Sequence, residues 1–296
     1  CQTMKFVTIT KENRNKYLPY LDADAVEHIG RDCYHAMALQ MKNDQPEAVL
    51  VWRTEVQADG TDESKTAHLV SYYARNNDFG LPLLVTCGQN CERDDVTAIS
   101  FEFDGKTHGI DEALFDMLGY TLQHSAESSD LTLTVADFLA LPLSEKAQLP
   151  EHVTSIGALT LNQMRRGIDN CIYRRRTGIL PDLAVLPVNW FEPELSSCVL
   201  IDGRVCGLLL VHKQVTDTLE AELFYASEPA GKQDMIGMIK YTIRYLVANY
   251  PADTKVVIHR CNDAARVLTD KLFPGKKGVP VISGKKVIGE KNEQSM

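Results

Sequence analysis

The chain has 296 residues, of which 44% are hydrophobic and 24% charged, and a formal net charge of −9. These are globular values: they leave room for one large domain or two of about 150 residues and exclude wholesale disorder. No run approaches the ~20 apolar residues of a membrane helix, and no long basic stripe with interleaved aromatics marks a nucleic-acid binder.

In chain order, "MKFVTIT" opens as a strand, and a helical stretch is expected from about Arg14 through Gln40. "EAVLVWRTEV" and "TAHLVSYYAR" are apolar, β-branched and aromatic, which predicts adjacent strands. "VTAISFEF" is a further strand, "IDEALFDMLGY" a short helix stopped by Gly119, and "TLQHSAESSDLTLTV" a closing strand pair. "LALPLSEKAQLPEHV", with two prolines and a polar middle, is the best linker candidate. It sets expected domains at 1–142 and 151–296, joined by 143–150.

The second half opens with helices, "LNQMRRGIDNCIYRRR" and "GILPDLAVL". "SSCVLIDGRVCGLLLVHKQ" reads as a hairpin turning at Asp202-Gly203, and "AELFYAS" as the next strand. A helix from about Gln233 to Ala248 puts Ile236, Ile239, Ile243, Leu246 and Val247 near one face, as for a helix packed on a sheet. "TKVVIHR" is a strand, "NDAARVLTDKLF" a helix with Asn262 as its N-cap, and "GVPVISGKKVI" a terminal hairpin before a frayed end. Both halves are thus mixed α/β with a strand-rich middle. A tandem duplication and two unrelated α/β domains both fit that order.

Residues 1–150 hold 12 Lys+Arg against 24 Asp+Glu, a net of −12, while 151–296 hold 19 against 16, a net of +3. A polyanionic ligand is better received by the second half, although two ordinary surfaces explain the split equally well. Eight cysteines in a chain of this length do not form a disulfide scaffold. Cys198, Cys206 and Cys261 lie in apolar runs and read as buried thiols. Cys87 and Cys91 form C-x3-C with no second pair, too few ligands for zinc. "CQTMKFVTIT" shows no signal peptide, so the expected compartment is the cytoplasm.

Three stretches, in order, carry a resemblance to the GNAT superfamily of N-acetyltransferases. "FEPELSSCVLIDGRVCGLLLV" resembles the family's hairpin, with its early glycine at Gly207. "AELFYASEPAGKQDMIGMI" resembles the strand, proline and cofactor loop leading into the long helix. "VVIHRCNDAARVLTDKLF" resembles the next strand and its asparagine-led helix. The first half resembles the family more faintly, through "IDEALFDMLGY" and the strands after it; "NNDFGLPLLVTCGQN" is a poor substitute for a glycine-rich loop.

The resemblance implies two GNAT-like domains, each a mostly antiparallel central sheet flanked by helices, the first degenerate. It implies acetyl-CoA or another acyl-CoA as cosubstrate and a small-molecule or peptide amine as acceptor. Acetyl-CoA would lie between two splayed strands, with pantetheine amides on the backbone of Phe224, Tyr225 and Ala226. The pyrophosphate would lie on the loop and helix N-terminus, where unpaired N–H groups and the helix dipole favour negative charge.

Aligned from Pro229, the family loop falls on Lys232, Gln233, Asp234, Met235, Ile236 and Gly237. Lys232 stands in for an arginine, Gly237 matches the last position, and Met235 replaces the central glycine. Asp234 brings a negative charge toward the phosphate, or favours the helix dipole from the first turn. A working cradle and a purely structural turn are both open. Glu220 and Glu222 share one face of their strand; either is a general base or a rim carboxylate. Asn262 matches an asparagine that touches the cofactor, and is equally explained as an N-cap. The family's phenolic acid would fall on Thr269, and on Phe115 in the first half, which puts a general acid in doubt. Arg174, Arg175 and Arg176 read as a solvated helix end, and His212 and His259 as buried, hydrogen-bonded histidines. A fold-retaining binding or regulatory module without chemistry is the alternative function.

Overall fold

The computed structural model describes residues 4–41, 44–59, 62–104, 110–142, 148–173, 182–260 and 262–289. The chain divides into two compact units: residues 1–128 with 279–296, and residues 129–278. The change of unit falls at Ser128/Ser129 and Gly278/Val279, not at the expected linker 143–150. No helix among the described residues is long and apolar enough to cross a membrane.

Unit 1 contains β1 (Lys5–Thr8), a 3-10 turn at Arg14–Tyr20, α1 (Ala23–Glu27), β2 (Tyr34–Gln40), β3 (Pro46–Asp59) and β4 (Asp62–Ala74). There follow α2 (Asn77–Arg93), β5 (Val96–Asp104), α3 (Glu112–Met117) and β6 (Thr121–Ser125). Unit 2 contains β7 (Asp130–Thr134), α4 (Val135–Leu139), β8 (Val153–Ser155), α5 (Leu161–Tyr173), β9 (Ser197–Ile201) and β10 (Arg204–Lys213). It continues through β11 (Leu219–Ala226), α6 (Lys232–Asn249), β12 (Lys255–His259) and α7 (Asp263–Leu272). The last strand, β13 (Val281–Val287), returns to the sheet of unit 1.

The sheets run β1-β2-β3-β4-β5-β13-β6 and β7-β12-β11-β10-β9-β8. Both are mostly antiparallel, and each has a parallel pair at its middle: β4 with β5, and β11 with β12. Beside the parallel pair each sheet has a further antiparallel strand, which comes from the C-terminal end of the chain in the first sheet and from the start of unit 2 in the second. β13 pairs with β5, and β7 pairs with β12.

Three expectations are corrected here. The helix expected through Gln40 ends early: "YHAMALQ" has good helix formers, but β1 and β3 pair on either side of it and bury nearly every residue, so it is β2. The expected strand pair in "TLQHSAESSDLTLTV" is two strands, β6 and β7, in different sheets. The expected terminal hairpin is the single strand β13, with β5 on one edge and β6 on the other. In addition, "NNDFGLPLLVTCGQNCER" forms α2 in spite of Gly80, Pro82 and Gly88. Asn76 caps it by accepting from the Asp78 amide at 3.0 Å.

Other elements follow the sequence. Asp202 (φ 50°) and Gly203 (φ 75°) are the two central residues between β9 and β10, the geometry that suits a twisted hairpin. Gly119 (φ 86°) terminates α3. The unit 1 core lies where Leu83, Leu84, Cys87 and Cys91 of α2 meet Leu50, Leu69, Ile99 and Phe101 of the sheet. In unit 2, Ile243 and Leu246 of α6 meet Leu219, Val211 and Val256 on one face. Met164, Ile168 and Cys171 of α5 meet Leu208, Leu210, Leu223 and Tyr225 on the other. Full burial of each large aliphatic side chain contributes about 1.5–3 kcal/mol. Cys198 and Cys206 are buried as expected, while Cys261 lies outside the described residues.

The seat of β13 yields a test. A Cβ on Gly284 would collide with the ring of buried Phe101. Gly284→Ala should therefore cost roughly 1–3 kcal/mol in chemical denaturation. An unchanged midpoint would contradict the placement of β13 against β5.

Candidate active site

The site is built on β11. It pairs in parallel with β12 at Leu219↔Val256, Glu220↔Val257 and Ala221↔Ile258, and the pairing then stops. On its other edge, the ladder with β10 runs Leu210↔Leu223 and then Val211↔Ala221, which leaves Glu222 as an extra residue without an opposite number. This β-bulge bends the strand and reverses its alternation. Leu219 packs on the α6 side, whereas Leu223 and Tyr225 pack on the α5 side. Beyond the bulge, Phe224, Tyr225 and Ala226 remain held by β10 and form one arm of a splay. The other arm begins at the end of β12, at His259. The parallel ladder thus ends before Phe224, Tyr225 and Ala226, the residues expected to face the cofactor.

Both expected carboxylates lie at the vertex, with different surroundings. Glu222 Oε1 accepts from Trp190 Nε1 at 3.0 Å. The Trp190 ring stacks on His212, centroids 4.0 Å apart and planes 5° from parallel, and His212 Nδ1 lies 2.6 Å from the Trp190 carbonyl oxygen. Glu220 is buried: its Oε2 accepts from Gln214 Nε2 at 2.9 Å, and its Oε1 lies 2.5 Å from His259 Nε2. His259 Nδ1 in turn lies 2.7 Å from Asp130 Oδ1 on β7. Burial opposes a charge on His259, but the Asp130 and Glu220 carboxylates outweigh it and hold its pKa well above the ordinary histidine value. A ring protonated on both nitrogens can donate to both carboxylates at once.

The turn Ser227–Gly231, with a cis Glu228–Pro229 bond, leads into α6. Asp234 Oδ2 accepts from the Gly231 amide at 2.9 Å, so Asp234 caps its own helix. The first bond of α6 is Met235 N to the Gly231 carbonyl. The amides of Lys232, Gln233 and Asp234 precede it and are the unpaired donors of a helix start. Lys232 and Gln233 are exposed, and Met235 is 36% exposed. Gly237 has another role. A Cβ there would stand 2.7 Å from Pro150 and 2.9 Å from Val153, so this glycine permits close packing inside unit 2. Ile236, half-buried, is in the same turn.

Asn262 accepts from the Ala265 amide at 2.9 Å and is an N-cap. Thr269 is buried, and its hydroxyl donates back to the Ala265 and Arg266 carbonyls. Tyr241 donates to the Glu194 carbonyl and Tyr250 to Glu192 Oε2. Arg174, Arg175 and Arg176 lie outside the described residues.

Unit 1 repeats the backbone device with other side chains. Its parallel pair ends at Leu69↔Phe101. The β3–β4 ladder then steps from Val51↔Ser71 to Trp52↔Leu69, leaving Val70 as the bulge residue. Valine stands where unit 2 has Glu222. Two residues on, Tyr72 meets Phe115 of α3 edge to face, centroids 5.7 Å apart. Its hydroxyl sits against Gly80 in the first turn of α2, where any Cβ would collide with it. Burial, aided by the Asp111 charge, pushes the Tyr72 phenol up to about 12. The corresponding residue in unit 2 is Phe224, 38% exposed. Tyr72 is engaged in an aromatic contact, whereas Phe224 is exposed on its strand.

Sequence reading missed Asp130 and Trp190 as neighbours of these carboxylates. Asp130 lies 129 positions from His259 in the chain and reaches it only because β7 joins the second sheet.

No family model matches the chain, and no curated protein matches it. Among solved structures it is similar to a tandem GNAT protein from the clavulanic acid biosynthesis pathway: 11% identity, TM-score 0.60, covering 98% of this chain and 100% of that one. It is also similar to GCN5-related N-acetyltransferases from Anabaena variabilis (12%, TM-score 0.53, 96% and 73%) and Kribbella flavida (12%, TM-score 0.51, 97% and 71%). At such identities the likeness concerns the fold.

The clamped histidine gives a pH test. An unfolded histidine titrates near ~6.5, and the folded pKa of His259 is raised. Its stabilisation is complete below about 6.5 and is lost as pH climbs through the raised folded value. Unfolding free energy should fall across that window, and His259→Gln should remove that part of the slope. An identical slope in parent and variant contradicts the clamp.

Proposed function

We propose, from two GNAT folds in tandem, that unit 2 is an acyl-CoA-dependent N-acyltransferase site and that unit 1 has no cofactor slot. The acceptor is a primary amine of a small molecule or peptide. The observation that carries this reading is the coincidence at Glu222. There the parallel pairing ends, the strand bulges, and a carboxylate oriented by an indole N–H stands at the mouth of the gap.

The residues present fit an acyl-CoA. The arm Phe224–Ala226 offers strand backbone for pantetheine amides. Lys232, Gln233 and Asp234 offer three helix-start amides for a phosphate, with Lys232 as the nearby cation. Asp234 is turned onto Gly231, which supports its reading as a cap. Phe224 and Met235 each expose apolar surface. When bound, the cosubstrate would supply the acyl group as a thioester. Glu222 accepts the proton that the amine must lose to become a nucleophile. Glu220 serves as a strut, since both its oxygens are engaged by Gln214 and His259. With Thr269 in the phenol position, water protonates the departing thiolate.

A non-catalytic binding module is the second reading, supported by the missing phenol and by Met235 in the loop glycine's place. Kinetics separates the two. With acetyl-CoA and a panel of primary amines, Glu222→Gln should lower kcat by about 10²–10⁴-fold while coenzyme A binding persists. Acetyl-CoA at 100 times its Kd should add about 2.7 kcal/mol of stability. That shift should vanish in Ala226→Trp and only weaken in Lys232→Ala. Binding without turnover favours the module; no thermal shift at millimolar acetyl-CoA sinks the acyltransferase reading.

A further inference from the structure

β11 and β12 share backbone pairing at three positions only, and the residues that follow are already on separate arms. Side chains tie the two strands where that pairing ends. Glu220 on β11 meets His259 Nε2 at 2.5 Å, and His259 is the last residue of β12. The other ring nitrogen meets Asp130 at 2.7 Å, its register partner on β7. A neutral imidazole has one N–H; donating to both carboxylates takes the protonated ring. The next residue is also anchored, because the Arg260 amide and Nε both donate to the Ser129 carbonyl at 3.1 Å. Gln214 holds the second oxygen of Glu220 from beyond the end of β10. With both ring nitrogens bound, His259 is not placed to exchange a proton with a substrate.

We infer that His259 is a positioning residue for the gap: a clasp, bonded to Glu220 at the foot of one arm and to Asp130 behind the other, that sets how far the arms stand apart. The identity of what enters the gap rests on the acyl-CoA reading; the clasp itself rests on the three-strand geometry. Glutamine at 259 can donate to one carboxylate but presents a carbonyl or nothing to the other, and carries no charge to offset them. Asparagine at 130 keeps a polar partner and removes one charge.

The test compares the parent chain with His259→Gln and Asp130→Asn by calorimetric titration of coenzyme A and by backbone amide exchange without ligand. Coenzyme A affinity should fall about tenfold or more in His259→Gln, because a small misplacement of the arms is costly, and by less in Asp130→Asn. Amide exchange should accelerate at Glu222–Ala226 while the rest of β10 and β11 keeps its protection. A merely structural role would instead lower protection throughout unit 2, and that outcome overturns the proposal, as does unchanged exchange with affinity within about twofold. Should the parent bind no coenzyme A, the acyl-CoA reading fails and exchange at the arm alone decides the clasp. Should His259→Gln not fold, Asp130→Asn decides it by the same two readouts.

Discussion

A single extra residue in β11 organises the second unit's site. Between Ala221 and Leu223 the strand carries Glu222 opposite nothing, and every side chain after it changes face. Before that step β11 contributes Leu219 to the core under α6; after it, Leu223 and Tyr225 go to the core under α5. A strand that bends there cannot keep its parallel ladder with β12, so the ladder ends at Ala221↔Ile258 and a gap opens. The same step places a carboxylate at the opening. A slip of one residue would move each of these apolar side chains into the other core, where it has no matching place.

The first unit shows how much of this device is backbone and how much is chemistry. It has the same bulge, after the same final pair of its parallel ladder, at Val70. The repeated step favours duplication over two unrelated domains. Yet valine offers no proton acceptor, and Tyr72, two residues on, is in edge-to-face contact with Phe115. The Tyr72 hydroxyl lies against the first turn of α2, where Gly80 makes room for it. Within its own unit each sheet gains a strand beside the parallel pair: β7 brings Asp130 to the second sheet, and β13 completes the first.

Much of the second unit was legible in the sequence because its signals are local. The Asp202-Gly203 turn, the alternating strands and the apolar face of α6 depend on neighbours a few residues apart. So does Asn262, whose role as a cap needed only its place before the helix. What was not legible depends on distant partners. "YHAMALQ" is a strand because two other strands flank it, against its own preference. α2 survives an internal proline because its apolar stripe has a sheet to cover. The last strand and β7 look like neighbours of the segments next to them in sequence but pair elsewhere. The site followed the same rule: Glu220 and Glu222 could be named from the strand, whereas Asp130 and Trp190 could not. Gly237 matches the last position of the family loop, and its packing against Pro150, a contact between segments far apart in the chain, could not be read beforehand.

The central claim is that one gap is open and carries a carboxylate while its duplicate is filled. Calorimetric titration of the intact chain with coenzyme A counts the gaps directly. Saturation at one molar equivalent is the predicted result. Saturation at two equivalents would mean that the Tyr72–Phe115 contact does not close unit 1, and no measurable binding at any concentration would mean that the gap at Glu222 is not a coenzyme A slot.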